Sequence, residues 1–420
     1  MRTSRKLLFG IYLGWGNGFE NPSIRKRISL KVLFLSHAQY ITVGLPKIIE
    51  LAEHMVSKGH DVTLVATSKT KRFTLEVKKV KGVNYVLSPS VLWGKWRHGA
   101  DMWDVFRRTL FFIGRHDFDI IHAIDSRPTV ILPAIALSKA YHIPLVVEWS
   151  DLYSGGGTIS ERSSKLYQIT LGKVESFFEL FFRKYADGAT AITSHLRKRL
   201  LELGFDERRI LLHRMGCIID DSKITTKEIA RRKLGLDISK TYIGHLGRIY
   251  PSDHELLLRA FGLLSHGRQD LELLLVGGID DRLRLPQSQV KYVGYVDEDR
   301  YNEYCNAVDF FVLPLKQSVT NVARWPSKIG DYLSFGKPVV STKVSDFEEI
   351  FGGPEIGILS PTDGVDDFTI AMETMIRERK QWEQWGKNGL AYSKQNLDWN
   401  IITSKLIDFY MDTIGRAQRN

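Results

Sequence analysis

Cysteine is nearly missing from this chain: Cys217 and Cys305 are the two in 420 residues. Two thiols cannot staple a protein of this size, so a reducing compartment is expected. Zinc-type cysteine and histidine spacings are absent too, and no metal site is expected. Long hydrophobic runs are also lacking. The stretches Leu7 to Gly16, Val130 to Leu137 and Phe310 to Leu315 fall far short of the roughly 20 residues that a membrane-spanning helix needs. Acidic residues are scarce in one part only. The net charge is +11, yet residues 241–420 carry 20 Lys/Arg against 25 Asp/Glu, so residues 1–240 hold +16. The polyanion signal of a basic protein therefore belongs to the N-terminal part alone.

What is present is an ordinary globular composition, 43% hydrophobic and 25% charged, long enough for two domains. Residues 1–29 read as a basic extension, with six Lys/Arg against Glu20. Its start mimics a signal peptide but lacks a small-residue cleavage pattern. A flexible leader is favoured over a membrane anchor there.

From Lys31 strands and helices alternate. Apolar runs at Val32 to Leu35 and Val62 to Val65 flank a helical pattern over Pro46 to Lys58 closed by Gly59, which is a βαβ unit and predicts a parallel sheet. Further strands are predicted at 82–87, 120–123, 144–148, 188–192 and 210–213. A second series has strands at 242–246, 271–276, 290–293, 310–313 and 338–341. The fold class is therefore α/β, with two Rossmann-like doubly wound domains facing across a cleft. The predicted boundaries are 30–215 for the first domain, 216–226 for the linker, 227–395 for the second domain, and 396–420 for a C-terminal helix returning to the first.

Chemistry concentrates in the segment Arg324 to Ser341. Pro326 suits a first helical turn, whose free N–H groups attract anions, and Lys328 stands near that end. Asp331, three residues on, shares a helix face with Lys328. A phosphate and a ribose could use them respectively, although a surface ion pair would give the same spacing. Gly247 and Arg248 end one predicted strand, and Gly277 and Gly278 end a neighbouring one. Glycine permits close backbone approach there, and Arg248 can grip phosphate oxygens.

The order of these motifs resembles the retaining GT-B glycosyltransferases, in particular glycosyltransferase family 4 (glycosyl transferases group 1). The resemblance runs from about Lys31 to Leu406. In the first domain it rests on Gly44 before the helix ending Lys58-Gly-His-Asp-Val62, on Glu148-Trp-Ser-Asp-Leu152, and on Ala186-Asp-Gly-Ala-Thr-Ala-Ile-Thr-Ser194. In the second it rests on the Gly-Arg and Gly-Gly turns, Val293-Gly-Tyr-Val296 and the Pro-Ser-Lys to Gly-Lys-Pro-Val-Val block.

It implies a nucleotide-sugar co-substrate, UDP- or GDP-linked, with no other cofactor. Arg248 and Lys328 would neutralise the diphosphate, Asp331 would bind ribose, Gly44, Gly247 and Gly277 would admit the phosphates, and Tyr292 would line the base. The family has two glutamates separated by seven residues; here Ala323 stands at the first position and Asp331 at the second. Thr320, Asn321, Arg324 and Ser327 are the candidates to contact the sugar instead. A lysine usual after the Gly-Arg turn falls near Asp253, and Ser150 replaces a histidine beside Asp151. Asp151 or Glu148 would orient an acceptor hydroxyl, or would cap the next helix.

The basic first domain interleaves aromatics with cations in two places. Trp93 to Arg115 suits a membrane interface, whereas core packing is favoured for Phe177 to Phe182. The expected function is transfer of a sugar to a lipid-linked glycan acceptor by a cytoplasmic enzyme, peripheral at the inner face of the cell membrane. The alternatives are a soluble acceptor and a non-catalytic nucleotide- or nucleic-acid-binding module. No helix-turn-helix, RRM or zinc-finger pattern supports the last.

Overall fold

A computed structural model describes residues 29–40, 45–91, 99–279 and 289–419. Gly44, Trp93 and nearly all of the N-terminal extension lie outside the described residues.

The first domain is built on strands β1 (Lys31–Gln39), β2 (Asp61–Thr67), β3 (Glu76–Val80), β4 (Val83–Ser88), β5 (Ile120–Ile124), β6 (Leu145–Trp149), β7 (Gly188–Ala191) and β8 (Ile210–Leu212). They form one sheet ordered β3-β4-β2-β1-β5-β6-β7-β8, in which the β3–β4 pair alone is antiparallel. The charged, half-exposed β3 escaped the sequence pattern because edge strands need no continuous apolar run.

Helix α1 (Leu45–Ser57) covers one face. The other carries α2 (Met102–Ile113), α3 (Pro128–Tyr141), α4 (Lys165–Ile169), α5 (Leu171–Phe181) and α6 (Ser194–Glu202). This division follows from right-handed crossovers, since the chain winds from β1 towards β2 and later from β4 back towards β5.

The second domain opens with α7 (Lys227–Leu234). Its Thr226 hydroxyl accepts from the Ile229 N–H, and Gly235 ends it at φ 65°, a left-handed value that favours glycine. Strands β9 (Thr241–Leu246), β10 (Leu271–Val276), β11 (Val290–Gly294), β12 (Phe310–Leu313), β13 (Val339–Thr342) and β14 (Gly357–Ser360) form a wholly parallel sheet, β11-β10-β9-β12-β13-β14. Its helices are α8 (Pro251–Ser265), α9 (Glu298–Ala307), α10 (Val319–Ala323), α11 (Lys328–Ser334), α12 (Phe347–Gly352), α13 (Val365–Arg377) and α14 (Trp382–Asn396). The helix expected after Pro326 is α11, and the loop before it holds the extra turn α10.

A last helix, α15 (Trp399–Ala417), packs Trp399, Ile402, Leu406 and Tyr410 into the α1 side of the first sheet. Trp399 presses on Gly216, where a Cβ would lie 2.5 Å from the indole. The Arg214 guanidinium crosses to the second domain, donating to Asp346 at 2.9 Å and Glu349 at 2.6 Å. The carboxyl ends of both sheets consequently face one cleft.

Candidate active site

In the second domain the strand ends make the first half of the site. Gly247 has φ 103° and its N–H donates to Val276 O at 2.7 Å. A Cβ on Gly247 would stand 2.7 Å from the Lys328 Cε, and one on Gly277 would stand 2.8 Å from the carbonyl carbon of Gly247. The two glycine turns and the lysine therefore pack directly on one another, and a side chain at Gly277 would strike the backbone of Gly247. Tyr332, stacked on Phe311 with ring centroids 3.9 Å apart, donates its hydroxyl to Leu246 O at 2.8 Å and holds the start of α11 against the end of β9.

Beyond these turns lies a cavity of about 170 Å³ lined by Arg248, Tyr250, Asp253, Arg324, Ser327 and Lys328, among others. Three cations thus share one cavity. The Tyr250 ring separates two of them, lying 5.7 Å from the Arg248 guanidinium and 5.0 Å from that of Arg324. Burial lowers Lys328 to about 8, against the pull of Asp253 and Asp331, which favour its charged form.

Asp253 stands where the resembled family has its lysine. It is buried, accepts from the Lys316 N–H at 2.9 Å and faces the Asn321 amide at 3.5 Å. Burial raises its pKa, and Lys328 and Arg324 act to lower it. A carboxylate at this place offsets the charges of Lys328 and Arg324 and anchors the loop that leads to Arg324. Sequence reasoning noted the exchange but assigned Asp253 no role; its signal was the loss of a lysine beside an unusual Lys328.

The other predicted residues scatter. Asn321 lines the cavity but spends its amide on Lys316 O at 2.9 Å, and Thr320 is buried outside the lining. Asp331 lines a different cavity, on the linker side of α11, with Ile218, Asp220 and Tyr301. Sharing a helix face does not put Lys328 and Asp331 in one pocket, although each still feels the other's charge. Burial lifts Asp331 to about 6, opposed by Lys328 and by the Tyr301 hydroxyl. Tyr292 is half-exposed on edge strand β11, whereas the hydroxyl of Tyr295 lies over Gly278.

The first domain contributes the opposite wall. Asp151 follows β6 and points across the cleft, its Oδ1 3.8 Å from the Arg324 Nε. Its side chain is 48% exposed, yet protein surrounds its carboxyl closely enough to raise it to about 6, with Arg324 opposing and Asp125 adding to the rise. Asp125, absent from the sequence reading, ends β5 at a left-handed φ of 76° and accepts from the Tyr153 hydroxyl and the Ser126 N–H. Its signal was a polar Asp-Ser-Arg-Pro turn at the carboxyl end of a central strand.

Glu148 and Ser150 do not line that wall as expected. Glu148 is buried and pairs with Lys47 at 3.0 and 3.1 Å, while the Ser150 hydroxyl donates to it. Burial alone would raise Glu148, but Lys47 and the nearby His122 and His213 hold it down at about 2. The pair ties α1 to the end of β6 beneath the cleft.

Among the described residues no group of three or more His, Cys, Asp or Glu could hold a metal ion, and no helix is long and apolar enough to cross a membrane.

Two family models match the chain: residues 48–215 match "Glycosyltransferase Family 4" and residues 240–378 match "Glycosyl transferases group 1". A Bacillus subtilis protein described as a teichuronic acid biosynthesis glycosyltransferase, TuaH, is 23% identical over 336 residues, covering 73% of this chain and 81% of that protein. A D-inositol 3-phosphate glycosyltransferase of Gordonia bronchialis is 22% identical over 54% of this chain and 52% of its own length. Among solved structures, sucrose-phosphate synthase from Thermosynechococcus elongatus has a TM-score of 0.70 at 15% identity, covering 92% of this chain and 100% of that one. Anabaena HepE in complex with UDP-glucose has a TM-score of 0.65 at 16% identity, covering 91% and 100%. With each domain matched by a glycosyltransferase model and the whole sharing their two-domain fold, the chain is a GT-B glycosyltransferase.

Proposed function

We propose that this enzyme is a retaining, metal-independent glycosyltransferase moving a sugar from a nucleotide-sugar to a hydroxyl of a lipid-linked glycan acceptor at the inner face of the cell membrane. The observation that carries the donor side is the meeting of Arg248, Arg324 and Lys328 in one cavity at the carboxyl edge of a parallel sheet. Breaking a sugar–diphosphate bond develops negative charge on the departing phosphate and positive charge at the anomeric carbon. Fixed cations at the phosphates are therefore worth more in the transition state than in the ground state.

A UDP-linked donor is supported by HepE, whose structures contain UDP-glucose or UDP. Retention rests on the resemblance to family 4, in which the acceptor attacks from the donor's own face and the leaving phosphate takes its proton. Asp151 would orient the acceptor hydroxyl, with Arg324 linking that carboxylate to the donor cavity. The basic first domain and the name of the Bacillus relative, which concerns teichuronic acid, support an anionic glycan acceptor on a membrane.

The test is donor hydrolysis across UDP-, GDP-, ADP- and TDP-sugars, using the wild type, Lys328→Ala and Asp331→Ala. Turnover of one donor class, depressed in both variants, is the expected result. Unchanged turnover in both variants would remove the assigned donor site, and no turnover of any donor would remove the reading itself.

A further inference from the structure

Helices α2 and α5 are inside out. On α2, Trp103, Phe106, Leu110 and Ile113 recur at spacings of three and four and are 39% to 50% exposed. The face turned inward carries Phe112 together with Asp104 and Arg108, paired at 2.8 Å, with Arg108 wholly buried and donating also to Ser36 O and Thr129 O. On α5 the exposed stripe is Leu171, Val174, Phe177 and Phe181. The inward residue there is Glu179, which accepts from the Trp149 indole and the Tyr153 and Ser154 N–H groups, and Arg183 follows it, buried, just past the helix. A helix facing water has the reverse arrangement. Core packing, the reading favoured for Phe177 to Phe182, therefore holds for Phe178, Leu180 and Phe182 but not for Phe177 and Phe181.

Both stripes flank α3 on one face of the sheet, and a cavity of about 200 Å³ opens beside α5, with the Arg127–Glu175 ion pair in its wall. Ala100 beside α2, Pro128, and Leu171, Val174 and Phe178 of α5 line it with Tyr153. Tyr153 spans the distance to the site: its ring lines the cavity while its hydroxyl donates to Asp125, whose charge in turn acts on Asp151.

Charge selects the occupant. The carboxylates of α2, α4 and α5 are Asp104, Glu175 and Glu179. The first and last are buried, and Glu175 accepts from Arg127 at 2.8 Å. Lys165, Lys173 and Lys184 are exposed among the apolar residues. Apolar stripes edged by cations complement an anionic bilayer.

We propose that α2, α4 and α5 dock the first domain on an anionic membrane, and that the cavity beside α5 takes one hydrocarbon chain of the lipid-linked acceptor. This rests on the lipid-linked reading of the acceptor. The chain enters beside Tyr153, which brings the polar head towards Asp125 and Asp151.

The experiment uses the whole protein and vesicles of phosphatidylglycerol with phosphatidylcholine. Wild type is expected to sediment with them and to be released by salt. The double variant Leu110→Glu and Phe177→Glu, at exposed positions, should lose at least about tenfold in binding. Wild type remaining in the supernatant, or a double variant sedimenting like it, overturns the docking.

Vesicles whose acyl chains end in a photoactivatable group should label residues 153–178, and Val174→Trp, which fills the cavity, should abolish that label while sedimentation persists. Label confined to α2 overturns the chain-binding cavity. Self-association lost in the double variant, without vesicle binding, assigns the face to a second copy and overturns the membrane. Donor hydrolysis is read on the same samples. Hydrolysis without vesicle binding sinks the docking alone, and vesicle binding without hydrolysis of any nucleotide-sugar sinks the transferase reading alone.

Discussion

The helices of the second domain and those of the first solve opposite problems. Helices α8 and α13 turn Leu256, Leu257, Phe261, Phe368, Met372 and Met375 inward against their sheet and leave Glu255, Arg259, Asp367 and Glu373 outside. Helices α2 and α5 bury ionic side chains and show aromatics. The same contrast runs through the charge, −5 from residue 241 onward and +16 before it. The second domain meets the first through Asp346 and Glu349, which accept from Arg214, whereas the first domain leaves the apolar stripes of α2 and α5 exposed. The difference teaches that among the described residues cations of the first domain such as Lys165, Lys173 and Lys184 stand beside exposed apolar stripes, where the second domain gathers its cations in a cavity.

The sharpest way to break the first domain is at the buried pair. Lys47→Met leaves Glu148 charged and alone, and should cost about 3–5 kcal/mol of stability in denaturant unfolding. Glu148 is depressed in the folded state, so the stability it adds is present above its unfolded pKa of 4.5 and is lost as pH falls through about 2. Lys47→Met should erase that acid dependence; a variant as stable as wild type would mean the pair holds nothing.

In the second domain, Lys328→Ala should lower kcat/KM for the donor by about 10²–10³-fold with little change in unfolding, because one fixed cation at the developing charge is removed. Gly247→Ala forces a side chain into a φ of 103° and against Lys328, costing of order 1–3 kcal/mol, read as a raised donor KM. A KM like that of wild type would show the lysine free to retreat.

The smallest effect separates the walls of the cleft by pH. Asp151 and Asp331 become charged as pH rises through about 6, and Lys328 loses its charge as pH rises through about 8. The kcat/KM profile should therefore rise through about 6 and fall through about 8. Lys328→Arg should remove the alkaline fall. If Asp151→Asn leaves the acid rise in place, that limb belongs to Asp331 and the donor side.

Much of this was legible in the sequence. Strands such as Leu271 to Val276 and Phe310 to Leu313 announce themselves because buried parallel strands are continuous apolar runs. Arg248 and Lys328 stood out because phosphate chemistry restricts which residues can stand at strand and helix ends, whereas Arg324 was expected at the sugar and lines the same cavity as those two. Strand β14 was missed because its Gly-Ile-Leu-Ser sequence holds only two apolar residues, and the turn α10 because five residues are too few to carry a helical period. Asp253 and Asp125 were missed as site residues because their importance comes from neighbours 60 or more and 28 residues away, Lys316 at 63 and Tyr153 at 28.

The sequence by itself determined the doubly wound class and the two-domain division of charge, since each depends on local pattern or on residue type. Only the tertiary structure decided which side of each amphipathic helix meets the core. Periodicity places Phe177 and Glu179 on opposite faces of α5 but cannot say which face looks inward. That depends on whether the sheet beneath offers Trp149 and the Tyr153 N–H as partners for a buried carboxylate, and those partners exist only once β6 is in place.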